Sequence, residues 1–242
     1  MAGKSNYQEW DIQLVDGRTN KPIDDDAGVY NVLTENDPAE ITIYSDGNGT
    51  SASNPGTMTD GRMTFWTAQT VTAIDLSVLT SNGHAYFLES LSVSDHRIVV
   101  WPDNAGIYNL IVPYTFSGAS DTIVDTGFDI LANMLIKDCF VHVITAGTGF
   151  AMDVGTSTDS DGFADGVLVT TTGYPVTLLE EVLTSATIMG ALISVALTAD
   201  YVRKLHKRAN ATSGANIVYT NTTASTTAGA GYIYLVYQRI QT

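Results

Sequence analysis

Apolar residues return at every second position along most of this chain, and that period admits few folds. Trp10, Ile12 and Leu14 alternate with Glu9, Asp11 and Gln13. Ile41 and Ile43 alternate with Glu40 and Thr42, and Ile74, Leu76 and Val78 with Asp75 and Ser77. Tyr108, Leu110, Val112, Tyr114 and Phe116 hold the same period, as do Phe140, His142 and Ile144 against Cys139, Val141 and Val143. Ile193, Val195 and Leu197 continue it, and in Tyr232–Tyr237 the residues Tyr232, Tyr234 and Val236 oppose Ile233, Leu235 and Tyr237. Successive strand side chains point to opposite sheet faces, so each run is read as a strand. Arg97–Trp101 reads as a further strand stopped by Pro102. Helical spacing is confined to Phe128, Leu131 and Leu135, where Asn133 suits a turn equally, and to the short run Leu178–Leu183.

Turn residues punctuate these runs. Asp46-Gly47-Asn48-Gly49, Asn54-Pro55-Gly56, Asp60-Gly61, Asn82-Gly83 and Ser213-Gly214 favour tight reversals. Threonine and serine make up about a fifth of the 242 residues, while only 15% are charged. β-branched threonine suits a pleated face, and helical Glu–Lys pairs are nearly absent. The expected fold class is therefore all-β, as two antiparallel β-sandwich domains. The polar stretch Pro102–Gly106 separates residues 1–102, a small hairpin-rich sandwich, from residues 103–242, a jelly-roll-like sandwich. The low-complexity stretch Thr220–Gly231 is expected to form a long hairpin loop.

Several function classes lose support on composition. A net charge of −15 disfavours a generic nucleic-acid binder, which needs a basic face. One cysteine permits no intrachain disulfide and no thiolate zinc site. Cys139 alternates with Val141 and Val143 and reads as a small buried hydrophobe. No run reaches the length of a membrane-spanning helix, and the first residues lack the apolar core of a secretory signal. No nucleophile elbow, phosphate loop, zinc-protease helix or dinucleotide fingerprint occurs, so no catalytic or cofactor-binding residue is assigned.

Two clusters remain. The stretch Asp153–Gly166 contains Asp159, Asp161 and Asp165 around Gly162, in partial likeness to a calcium loop. Counted from Ser157, the position that needs a bidentate glutamate is Leu168, so an acidic surface turn is the competing reading and no metal site is assigned. The second cluster is Arg203, Lys204, Lys207 and Arg208, which gathers four of the eleven bases into six residues. It reads either as a solvated loop or as a contact for an acidic partner surface, on a neighbouring copy or a capsid. The histidines His84, His96, His142 and His206 share no metal-ligand spacing, and His142 reads as a core or interface residue.

The string Ile43-Tyr44-Ser45-Asp46-x-x-Gly49-Thr50, then Asn54-Pro55, Gly61 and Phe65-Trp66, resembles a short β module recurrent in virion proteins of tailed bacteriophages. The order Gly127-Phe128-Asp129, Ala132-Asn133-x-Leu135-Ile136-x-Asp138, Phe140-Val141-x-Val143, Thr145-Ala146, Asp153-Val154-Gly155, Asp161-Gly162-Phe163 and Gly231-Tyr232-Ile233-Tyr234 is similar to structural proteins of such phages. The resemblance implies a non-enzymatic virion protein, assembled in the host cytoplasm. It implies an auxiliary capsid protein that decorates or cements the head, with a tail or fibre component as the alternative. A carbohydrate-binding module, working through exposed aromatics such as Trp66 or Trp101, is the alternative of another class. Expected partners are other copies of the chain, with a trimer first, and capsid or tail proteins, but neither nucleic acid nor membrane. The aromatic strand Tyr232, Tyr234, Tyr237 motivates the oligomer, because tyrosine is enriched at interfaces.

Overall fold

The computed structural model describes residues 6–101, 107–116, 123–131, 134–149, 151–177, 215–221 and 227–239. Their regular structure is all strand, with no helix among them. The chain divides into two compact units, Met1–Asn104 and Ala105–Thr242.

Unit 1 holds β1 (Tyr7–Asp16), β2 (Lys21–Pro22), β3 (Val29–Thr34), β4 (Gly56–Thr57), β5 (Arg62–Ala68), β6 (Ala73–Leu79), β7 (Ala85–Ser92) and β8 (Arg97–Val100). One sheet is built on β1. Leu14 N–H donates to Gly61 O while Leu14 O accepts from Ile23 N–H, so β5 and β2 follow each other along one edge. On the other edge Gln13 N–H donates to His96 O, and β8 runs parallel to β1. The second sheet has the order β4-β3-β6-β7. The alternating residues Trp10, Ile12 and Leu14 of β1 pack with Tyr30, Val32, Ile74, Leu76 and Val78 of the opposite sheet in one buried cluster. Trp10 lies parallel to Phe65 at 6.1 Å, and its Nε1–H donates to Thr67 Oγ1 at 2.9 Å. Each such side chain contributes about 1.5–3 kcal/mol by leaving water.

Unit 1 departs from the sequence expectation in three places. Ile41 and Ile43 lie outside any strand, with only isolated bridges at Glu40 and Tyr44 on either side of them, because Asn54 occupies the ladder. Its Nδ2 donates to Val32 O and Ile41 O, and its Oδ1 accepts from Val32 N–H. In β6 the polar residues Asp75 and Ser77 are buried as well as the apolar ones. Asp75, 1% exposed, accepts from Ser90 N–H at 2.7 Å and Asn36 N–H at 2.8 Å. Ser90 sits at φ 54° where β7 shifts register against β6, so the carboxylate takes up an N–H that the bulge frees. The third departure is the parallel β1–β8 pair. It is reached by a crossover through the opposite sheet, as parallel pairing requires.

Unit 2 holds β9 (Ile107–Phe116), β10 (Ile123–Ile130), β11 (Met134–Thr145), β12 (Ala151–Thr156), β13 (Asp159–Leu168), β14 (Gly173–Thr177), β15 (Ala215–Asn221) and β16 (Gly229–Arg239). The pairs β12–β13, β11–β14, β10–β15 and β9–β16 make one long antiparallel ribbon. Its winding adds the pairs β11–β16 and β12–β15, giving two sheets ordered β14-β11-β16-β9 and β10-β15-β12-β13. The sheets meet where Tyr219 of β15 packs edge-on against Phe116 at 5.3 Å and Tyr114 at 6.2 Å. The segment around Phe128 that carries helical spacing is strand, with Phe128 and Ile130 buried on β10 and Met134 and Ile136 on β11. A register shift near Asp138 then moves the buried phase of β11 to Cys139, Val141 and Val143. The strands β15 and β16 that flank the low-complexity stretch do not pair as the expected hairpin, because they belong to different sheets. Leu178–Leu183 and Ile193–Leu197 lie outside the described residues.

Candidate functional site

The acidic stretch is not a loop. β12 and β13 form a hairpin closed at Ser157-Thr158, with Thr156 paired to Asp159. β13 carries extra residues relative to β12, and they fold over Gly155. A Cβ there would lie 2.0 Å from Asp159 O, so only glycine fits. Asp153, 9% exposed, accepts from the N–H of Gly166 at 2.7 Å, and Gly166 sits at φ 68° in the bulge. Asp161 and Asp165 point to solvent. Burial pushes the Asp153 carboxyl above the usual carboxylate range against the pull of the Gly166 N–H, and Asp165 and Asp161 push it further. Asp165 is raised by burial first and by Asp161 second. Among the described residues no three His, Cys, Asp or Glu side chains are grouped to hold a metal ion. Asp159, Asp161 and Asp165 thus surround a bulge that Asp153 closes.

Arg203, Lys204, Lys207 and Arg208 lie outside the described residues. The tyrosines of β16 divide between faces. Tyr237 is fully buried beside Tyr108 at 5.6 Å, whereas Tyr234 is half-buried on the outer face and stacks on Phe140 at 4.8 Å, nearly parallel. His142 neighbours the same ring at 6.5 Å and is half-buried. Cys139 is buried, and burial, then Asp138, raises its thiol far above the range in which it ionises near neutral pH.

In unit 1 each residue of the Tyr44–Trp66 string has a definite structural place. Asp46 accepts from Asn48 N–H, Thr50 N–H and the Thr50 hydroxyl, which holds its carboxyl below the usual range. Gly49, at φ 87°, leaves room for Tyr7, whose ring packs on Tyr44 at 4.5 Å. Tyr44 and Trp66 exchange both backbone hydrogen bonds. Asn54 clamps β3 as described, and the Asn54-Pro55 peptide bond is cis. Gly61, at φ 67°, passes Ile23 O so closely that a Cβ would lie 2.1 Å from it.

The face of the β1 sheet turned away from the core carries a second constellation that alternation alone did not reveal. Trp101, next after β8, is 67% exposed and lies over Gly17. Arg97 on the same face reaches across β1 to Asn20. The missed signal was a glycine one residue past the end of β1, in register with the tryptophan that follows β8. Comparisons with protein-family profiles, curated proteins and solved structures find no match to this chain.

Proposed function

We propose that this chain is a non-enzymatic structural protein of a tailed-bacteriophage virion, an auxiliary protein that decorates or cements the head surface. The observation that carries the reading is the use made of the Tyr44–Trp66 string. Asp46, Asn54, Gly49 and Gly61 hold turns and strand edges, and Phe65 is core. A motif whose polar and glycine positions all serve backbone geometry is the mark of an architectural module, and this one resembles a phage virion module. The ribbon of unit 2, four antiparallel pairs wound into two sheets, reads as a jelly roll, an architecture common in capsid and lectin domains. Fold alone does not assign function, so the reading rests on the string.

The chain acts as a homo-oligomer, a trimer in this reading, bound to other virion proteins. The test counts copies in purified virions by gel densitometry and locates them by imaging with a labelled chain. Hundreds of copies on the shell are expected. A few copies on the tail would assign the chain to a fibre, and its absence from virions would overturn both. Light scattering of the purified chain is expected to give a mass of about three chains.

A further inference from the structure

We propose that the corner of unit 1 formed by Trp101, Gly17, Arg97 and the Gly17–Asn20 turn binds an acidic saccharide, a polymer whose sugar rings carry carboxylates. The inference is independent of where the chain sits in a virion. It begins with the register of β8 against β1, in which Gln13 pairs with Arg97 and Val15 with Val99, and Gly17 N–H donates to Val100 O at 2.8 Å. Val100 points into the core, so Arg97, Val99 and Trp101 point outward. A Cβ built on Gly17 would lie 2.6 Å from Trp101 Cε2, 2.7 Å from Cδ2 and 2.9 Å from Cζ2. Cδ2 and Cε2 are the ends of the bond fusing the two indole rings. Near-equal approach to both places the glycine under the flat of the ring, not at its rim. One indole face therefore rests on backbone, while the ring remains 67% exposed, which leaves the other face to solvent.

The polar groups beside it are held in place too. Asn20 sits at φ 56°, its N–H donating to Asp16 O at 2.8 Å. Arg97 Nη2 crosses β1 to donate to Asn20 Oδ1 at 2.5 Å and to its carbonyl at 3.4 Å. A guanidinium has five N–H donors, so this anchoring leaves others for a ligand. Asp16 Oδ1 accepts from Arg18 N–H at 2.7 Å and from Thr19 N–H at 3.4 Å, which fixes the turn. Arg18, Lys21 and Arg97 are all exposed here, so a chain of net charge −15 gathers three cations around one turn.

The chemistry follows from these parts. A pyranose ring has a C–H face that packs on an indole, whose π-face is electron-rich. A planar guanidinium pairs with a carboxylate through two parallel hydrogen bonds. A neutral sugar would use the ring and leave the cations idle. A flexible acidic peptide would use the cations and leave the ring idle. A uronic-acid polymer uses both, and few well-placed polar groups beside an apolar surface are the usual make-up of such sites.

The test uses the full chain and three probes: hexamers of galacturonic acid, hexamers of neutral glucose, and poly-glutamate of matched charge. Binding is read by calorimetry and by tryptophan emission. The galacturonate hexamer is expected to bind saturably, to shift the emission, and to weaken as salt rises. Trp101→Ala and Arg97→Gln are each expected to weaken it ten-fold or more. Both side chains are exposed, and far-UV circular dichroism and melting checks that each variant folds. Trp101→Phe, which keeps a ring, is expected to retain part of the affinity. Equal binding of the neutral hexamer overturns the acidic class, and equal binding of poly-glutamate overturns the saccharide. No binding of galacturonate at millimolar concentration, or binding that Trp101→Ala leaves unchanged, overturns the site.

Discussion

Single polar side chains in this protein differ in how well their buried atoms are served. Tyr114, 1% exposed, has a hydroxyl with no hydrogen-bond partner, and burial followed by repulsion from Tyr219 raises its ionisation far above the ordinary range. A buried hydroxyl without a partner costs about 1–3 kcal/mol. Tyr114→Phe is therefore expected to raise the melting temperature of unit 2 by a few degrees, read by tyrosine-region circular dichroism. Asp75 is the opposite case, since each carboxylate oxygen takes a separate N–H. Asparagine offers one acceptor where two are needed. Asp75→Asn is expected to destabilise unit 1 by about 1.5–3 kcal/mol in urea titration, the range for a lost hydrogen bond to a charged group. Among the described residues Asp153 accepts a single N–H, and neighbouring carboxylates oppose the charge. Asp153→Asn there keeps the acceptor and removes the repulsion, so unit 2 is expected to melt at the same temperature or higher at neutral pH.

At the scale of elements, strands were readable and their interruptions were not. Trp10–Leu14 and Leu110–Phe116 declare their inner faces by period, and both are buried as expected. The period cannot say where a bulge resets it. In β11 the buried positions pass from Met134 and Ile136 to Cys139 and Val141 across one register shift. Nor can it say that a side chain will stand in for a strand, as Asn54 does between β3 and Ile41. Asn54→Ala removes three hydrogen bonds to backbone at one stroke. About 0.5–1.5 kcal/mol for each implies a loss of a few kcal/mol in unit 1, with Val32 N–H exchanging hydrogen faster. The acidic stretch misled for a related reason. Asp153 and Asp75 look like surface charges in sequence, yet both close bulges whose presence depends on the partner strand. The corner at Trp101 was half legible. The exposed aromatic was visible, but the glycine beneath it acquires meaning only through the β1–β8 register.

On the scale of the whole molecule the two units are expected to respond to acid in opposite senses. In unit 1, hydrogen bonds from Thr50 and Asn48 hold Asp46 low, and those from Ser92 hold Asp95 low. Their contribution is full above the unfolded value near about 4 and is lost as pH falls through the depressed folded values. In unit 2, burial raises Asp129, Asp153 and Asp165, each with help from a neighbouring carboxylate. The folded unit then binds protons more readily than the unfolded chain, so its stability rises as pH falls through those raised values and levels off below about 4. Trp10, Trp66 and Trp101, the chain's three tryptophans, all lie in unit 1, so their emission follows that unit alone. From neutral pH down to about 4, the tryptophan melt is expected to stay level while the circular dichroism melt of unit 2 rises; below that the tryptophan melt falls. A tryptophan melt that rises with the other would reject this assignment. The winding of unit 2 also bears on the order of synthesis. β16 lies between β11 and β9, and its residue Gly229 is the partner of Phe116. While a ribosome is still reading the codons before β16, β9 and β11 are complete but have a vacant lane between them. That lane is the place where a nascent chain would recruit the wrong strand, and where a chaperone would have most to shield.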